Sequence, residues 1–170
     1  MRITLVRHAA PTTSPDTPPS AWPLSPAGRA AARALRLPAG TAAVSSDERK
    51  AVETLTLALG VAEALTDSRF MEVRRPREPV SPGFREARRA WVEGTPDDRH
   101  TGWETAEDAA RRFDAAVRAH AGERDLVVAT HGMVLTAWLV SIGRVAPGPS
   151  AGDFWRRLRL PDVVTTDLRP

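Results

Sequence analysis

Two short apolar runs organise the chain: Ile3-Thr4-Leu5-Val6 near the start, and Leu126-Val127-Val128-Ala129-Thr130 much later. Each is rich in β-branched residues and flanked by polar ones, so each predicts a buried strand. Ala42-Ala43-Val44-Ser45 predicts a third. Helical patterns fall between them. Ser25-Pro26 opens the first, with serine as N-cap and proline at the first helical position, and it runs to about Arg36. Ser46-Asp47-Glu48 opens the second, where first-turn acids suit the positive end of a helix that carries Lys50, Glu53 and Thr54. Thr105 to His120 predicts a third, with Ala109, Phe113, Ala116 and Val117 on one apolar face, and Met133 to Ile142 a fourth. The tail from Phe154 to Leu168 predicts one or two edge strands, since Pro161 is poorly tolerated in a central one.

Strands alternating with helices place the chain in the α/β class, as a three-layer sandwich with a mostly parallel central sheet flanked by helices. Its 170 residues suffice for one domain with a real core, and no internal repeat or long linker divides them, so residues 1–170 are expected to form a single domain. The pattern breaks between Asp67 and Gly102, where prolines stand at 76, 79, 82 and 96 and one amphipathic piece lies near Phe84 to Val92. An irregular stretch of that length predicts a small lid or substrate-specificity segment.

Composition removes several classes of function. There is no cysteine, which excludes disulfides, thiolate zinc sites and cysteine nucleophiles. The opening residues lack the apolar stretch of a signal peptide, and nothing downstream approaches a membrane span, so a cytoplasmic location without membrane attachment is expected. A sequence pI of about 10.7 suggests nucleic acid, yet the net charge is only +3. The high pI reflects twenty-three arginines against a single lysine. Arg69, Arg74, Arg75, Arg77, Arg85, Arg88 and Arg89 cluster with few aromatics between them, which favours a solvated face or an anionic-substrate rim over a nucleic-acid surface. Of this segment, Arg74, Arg75, Arg85, Trp91 and His100 are the candidates for lining a substrate pocket.

The candidate chemistry sits at strand ends. Arg7 and His8 close the first apolar run, and His131, followed by Gly132, closes the late one. In open α/β sheets ligands bind outside the carboxyl ends of strands. Two imidazoles and a guanidinium gathered at such an edge form a compact cationic pocket suited to a phosphate ester, in which one imidazole can be the nucleophile. Either histidine alone is equally well read as a half-buried residue without chemistry; the pair favours function.

With these motifs the chain resembles the histidine phosphatase superfamily, the phosphoglycerate-mutase-like group. Leu5-Val6-Arg7-His8-Ala9-Ala10-Pro11 is similar to that family's first strand ending in Arg-His-Gly, and Ala129-Thr130-His131-Gly132-Met133 to its late Ser-His-Gly. Pro23-Leu24-Ser25-Pro26-Ala27-Gly28-Arg29 and the stretch from Ser45-Ser46-Asp47 to Glu53-Thr54 resemble two further family motifs in the same order. The resemblance implies phosphoryl transfer in which His8 attacks phosphorus, while Arg7, a second basic residue and His131 hold the equatorial oxygens, with Gly132 and Met133 beside them. It implies a leaving-group acid at Glu72, in Arg69-Phe70-Met71-Glu72-Val73, and a glutamate close to the pocket at Glu104. Glu104 also reads as a helix-start residue, and Glu72 as a surface carboxylate.

Three departures from the family pattern matter. Lys50 stands at the second phosphate-binding arginine, keeping the charge but losing the bidentate fork. Arg49 is the rival, and serves only if the helix register shifts by one, because neighbouring helical positions point about 100° apart. Ala9 replaces a glycine, which restricts the backbone if φ there must be positive, and Ala10 replaces a frequent glutamate. Ser14 falls where the family often has a phosphate-contacting asparagine, for which a hydroxyl can substitute. The expected activity is metal-independent and cofactor-free hydrolysis of a small phosphomonoester through a phosphohistidine on His8, with a small-molecule phosphate ester as partner and a homodimer allowed. Two alternatives stay open: a catalytically weakened phosphate-ester binding protein of the same fold, and a phosphomutase, which the short chain disfavours because the family's mutases are longer.

Overall fold

Strand β1 (Arg2–Arg7) buries side chains on both of its faces. Ile3 and Leu5 point to one side and Val6 to the other, as the two-residue period of a strand requires. Its neighbour β4 (Leu126–Thr130) does the same, with Leu126 and Val128 on the first side and Val127 and Ala129 on the second. A strand buried on both faces belongs at the centre of a covered sheet. In this computed structural model, which describes residues 1–76, 83–122 and 124–168, β1 and β4 are indeed central. Together with β2 (Ala42–Ser45), β3 (Leu65–Thr66) and β5 (Asp162–Asp167), they form a five-stranded sheet in the order β3-β2-β4-β1-β5. The pairings are parallel except that of β5, which runs antiparallel along β1 from Arg2↔Asp167 to Arg7↔Asp162. Pro161 immediately precedes this edge strand and takes no part in it.

Two helices cover one face. α1 (Pro26–Ala34) starts as its sequence predicts, with Ser25 accepting a hydrogen bond from the amide of Gly28 and proline at the first position. Gly28 is required here, because a Cβ would stand 2.1 Å from the carbonyl oxygen of Ala10. α2 (Arg49–Leu59) lays Leu55 against Val6, Val127 and Ala129. The other face carries α3 (Phe84–Glu93), α4 (Ala106–His120), α5 (Gly132–Ser141) and α6 (Pro149–Arg157). Trp91, Phe113, Leu135, Trp138 and Trp155 from these helices close over Ile3, Leu5 and Val128 in the larger core. The expected α/β three-layer sandwich is therefore the fold. None of the helices among the described residues is long and apolar enough to cross a membrane.

The structure departs from the sequence reading in the tail and in the segment after β3. Phe154 to Arg157, within the tail expected as one or two edge strands, forms the last turn of α6, and β5 is the one strand of that tail among the described residues. Proline at the first position of that helix and the aromatic side chains turned onto the core override the β preference of Phe-Trp. The segment from Asp67 to Gly102 is also less irregular than its prolines suggest. Phe70, Val73, Trp91, Val92 and His100 are buried, and α3 spans ten residues within it. Arg77, Pro79 and Pro82 lie outside the described residues.

Candidate active site

Parallel pairing of β1 with β4 sets Arg7 opposite Thr130. One residue further on, both strands end and the chain turns, so His8 and His131 emerge side by side at the same edge, with ring centroids 5.2 Å apart. The His8 amide still donates to the carbonyl of Thr130 at 3.0 Å, which fixes the root of its side chain. Its ring Nδ1 lies 2.8 Å from the carbonyl oxygen of Ala9. A carbonyl can only accept, so Nδ1 carries the hydrogen and Nε2 holds the lone pair. Burial, with the charge of Lys50 adding to it, pushes the His8 imidazole down to about 4, so the ring is neutral at ordinary pH. An oriented, neutral imidazole with a defined free nitrogen is what a nitrogen nucleophile requires.

His131 is fully buried, at the N-terminus of α5. Its Nε2 lies 2.9 Å from the Ser46 hydroxyl and 3.5 Å from Oε1 of Glu48, while its Nδ1 has no hydrogen-bond partner among the described residues. Burial first, then the charges of Lys50 and His8, hold it well below the ordinary histidine value. Arg7 donates from Nη1 to the carbonyl of Leu158 at 2.6 Å, and its Nε, buried, is likewise without a partner. Gly132 makes room for that guanidinium, since a Cβ there would stand 3.1 Å from Arg7 Nε and from Trp155 Nε1.

The register of α2 settles which basic residue faces the histidines. Lys50 is 5% exposed, donates to the Pro19 carbonyl at 2.9 Å and pairs with the carboxylate of Glu48. Arg49 points outward with its side chain 55% exposed, in an ion pair with Glu53 one turn along the helix. Lys50 is thus the cation whose charge is felt at both His8 and His131. Thr54 completes the cradle by accepting the Ala9 amide at 2.9 Å and donating to the Lys50 carbonyl at 2.6 Å. The Ala9 amide is therefore committed within the protein. No residue other than glycine has positive φ among the described residues, so the methyl of Ala9 carries no backbone strain.

Two carboxylates take positions that their sequence context does not suggest. Glu72 lies at the N-terminus of α5, accepting from the amides of Val73 at 3.0 Å, Val134 at 3.1 Å and Met133 at 3.4 Å. Burial pushes its carboxyl up, but the facing charges of His131 and Arg75 and the Val73 amide outweigh that and hold it below the usual glutamate value. The carboxylate expected to be the leaving-group acid is thus anchored by backbone amides at the edge of the site. The Met133 amide, expected beside a phosphate, is turned to Glu72. Glu104 forms a two-pronged pair with Arg112, at 2.7 and 2.8 Å, and accepts the Arg74 amide at 3.1 Å. Arg112 in turn donates to the carbonyls of Arg69, Met71 and Glu72. This pair clamps the segment that carries Glu72 and stands behind the site, not in it.

Ser14 accepts the amide of Asp16 at 3.2 Å and makes no hydrogen bond to His8, His131 or Lys50. Trp91 donates to the Glu104 carbonyl and His100 caps the turn Asp98–His100, and both are buried. Arg75 lies 5.3 Å over the ring of Trp103. Conversely, Ser46, Glu48 and Thr54, read in the sequence as parts of a helix start and a family motif but not as site residues, join the site. Glu48 is read in the sequence as an acid serving a helix N-terminus, yet it makes no cap hydrogen bond and turns inward, 6% exposed, toward Lys50 and His131.

Residues 3–158 match the histidine phosphatase superfamily, branch 1. The chain belongs to that family. Solved structures with the same fold include a mycobacterial glucosyl-3-phosphoglycerate phosphatase, 22% identical over 91% of this chain and 83% of that one, with a TM-score of 0.62. The product of a Mycobacterium tuberculosis open reading frame is 19% identical over 99% and 91%, with a TM-score of 0.68, and a Thermus thermophilus protein is 23% identical over 98% and 93%, with a TM-score of 0.65. None of the curated proteins matches the chain significantly. Family membership agrees with the site, in which the residues at both histidine motifs converge on one sheet edge.

Proposed function

We propose that this chain is a metal-independent phosphomonoesterase that hydrolyses a small phosphorylated metabolite through a phosphohistidine on His8. The observation that carries the proposal is the state of His8: neutral, tied at Nδ1 to a carbonyl, and set beside His131 and the Lys50 cation. Phosphoryl transfer asks chiefly for positioning and charge stabilisation. Lys50, Arg7 and His131 supply them. The unpartnered donors Arg7 Nε and His131 Nδ1, where the latter carries the ring hydrogen, are the groups that phosphoryl oxygens would satisfy. As Nε2 of His8 attacks, the ester oxygen departs, and water then releases phosphate from the imidazole. The fold shared with a glucosyl-3-phosphoglycerate phosphatase supports phosphatase chemistry on a small anionic metabolite.

A second reading, a phosphate-ester binding protein with little turnover, is favoured by one observation: Lys50 already has a carboxylate partner in Glu48. Hydrolysis of p-nitrophenyl phosphate in the presence of a chelator separates the two. Turnover that disappears in His8→Ala, with the fold retained, supports the phosphatase. Binding of inorganic phosphate without turnover supports the second reading.

A further inference from the structure

We propose that Thr54 is a positioning residue for the nucleophile, holding the peptide whose carbonyl orients the His8 ring; this rests on the phosphatase reading above. β1 ends at Arg7, and the His8 amide is the last to bond to β4. Among the described residues the ring itself makes one hydrogen bond, from Nδ1 to the Ala9 carbonyl at 2.8 Å. The direction of that carbonyl decides where Nε2 points. Whatever fixes the backbone at Ala9 therefore fixes the line of attack.

Two anchors bracket the carbonyl. On one side the Ala9 amide donates to the Thr54 hydroxyl at 2.9 Å. On the other, the Ala10 carbonyl accepts from the amide and the hydroxyl of Ser25, each at 3.0 Å. Ala9 and Thr54 are both fully buried, so the Ala9 amide depends on this hydroxyl, and without it a buried donor is left unsatisfied or must turn to another acceptor.

The one hydrogen of the Thr54 hydroxyl goes to the Lys50 carbonyl at 2.6 Å, one turn back along α2. Such back-bonding alone is an ordinary local feature of helices, and Thr56 does the same to Val52 at 3.0 Å. Thr54 differs in also accepting an amide from outside its helix, beside the nucleophile. One hydroxyl thus ties the loop that carries His8 to the turn of α2 that carries Lys50. Thr54 acts through Ala9 and holds the nucleophile in register with the phosphate-binding cation.

The test compares the wild type with Thr54→Val, which keeps the shape and removes the hydroxyl, with Thr54→Ser, which keeps the hydroxyl, and with Thr56→Val as a control that loses only back-bonding. Circular dichroism confirms the fold at the assay temperature. For p-nitrophenyl phosphate, Thr54→Val should lower kcat about 10- to 100-fold, since a small misplacement of a reacting group has that effect, with KM changed less than about threefold. Thr54→Ser and Thr56→Val should stay within about threefold of the wild type. In parallel, ¹⁵N NMR should find wild-type His8 protonated at Nδ1 and bare at Nε2, with the two ring shifts converging in Thr54→Val as the other tautomer is populated, and unchanged in Thr54→Ser and Thr56→Val. Should Thr54→Val not fold, Thr54→Ala should show both effects. A hydroxyl-free variant with wild-type kcat, or one whose kcat falls while the His8 ring shifts stay fixed, overturns the assignment and leaves the phosphatase reading intact. A wild type without turnover overturns the phosphatase reading, and the ring shifts then decide the role of Thr54 by themselves.

Discussion

His8 and His131 follow adjacent parallel strands, and their rings stand 5.2 Å apart with planes inclined at 57°. That relationship follows from the strand register, since Arg7 pairs with Thr130 and each histidine is the next residue. Two short apolar runs separated by more than a hundred residues thus deliver two histidines to one point. The sheet supplies the rigidity and the loops after it supply the chemistry, in keeping with the general placement of ligand sites in parallel α/β sheets.

The contrast between Lys50 and Arg49 gives the first prediction. Lys50→Ala removes the site's buried ammonium and strands the Glu48 carboxylate, so kcat/KM for p-nitrophenyl phosphate should fall at least about 10²-fold, with a lowered melting temperature because a buried charge loses its partner. Arg49→Ala removes only an exposed pair with Glu53, whose contribution is about 0–1 kcal/mol, and should leave kcat/KM within about twofold. Steady-state kinetics and thermal melts on both variants check this; damage from Arg49→Ala alone would mean that Lys50 is not the phosphate-binding cation.

The buried histidines predict how stability depends on pH. His8 is pushed from its ordinary value near 6.5 down to about 4, and His131 is displaced in the same direction. Between those limits the unfolded chain binds protons that the folded chain excludes, so stability falls as pH drops from 6.5 toward 4. The melting temperature should decline across that window in the wild type and decline less in His8→Gln. Ring nitrogen shifts in an NMR titration should place the His8 midpoint near 4; a midpoint near 6.5 would remove the basis for a neutral, buried nucleophile.

Much of the fold was legible in the sequence because its signals are local. The β-branched runs of β1 and β4, the Ser25-Pro26 start of α1 and the apolar stripe of α4 each report their own structure. α6 was not legible, because Phe154 and Trp155 have strong β preference and only contact with the distant core makes them helical. The same division runs through the site. His8, His131 and Lys50 stand out by motif or by rarity, and the strands bring the two histidines together. Glu48 does not stand out, since an acid at the start of a helix is ordinarily solvated and only the tertiary fold turns it toward Lys50. Glu72 stands out by its position in sequence, but its anchoring on the amides at the N-terminus of α5 comes only from the tertiary fold.

The Glu104–Arg112 pair predicts a loss of stability coupled to a loss of activity. Both side chains are about nine-tenths buried, and Arg112 also satisfies three carbonyls of the segment leading to Glu72. Arg112→Ala leaves these acceptors and a buried carboxylate without their donor, which should cost about 3–5 kcal/mol. Denaturant unfolding measures this. Arg112→Lys should recover part of the stability through charge but not the two-pronged geometry, and a variant as stable as the wild type would show that the clamp is dispensable.

The central claim is that His8 carries the phosphoryl group, and the most direct measurement is to trap it. Wild-type protein mixed with p-nitrophenyl phosphate, quenched in alkali to preserve the phosphoramidate and digested for mass spectrometry, should show phosphate on the peptide bearing His8, at Nε2 by ³¹P NMR. His8→Ala should show none and lose at least about 10³-fold in turnover. Turnover with phosphate trapped on another residue, or undiminished turnover in His8→Ala, would contradict the account.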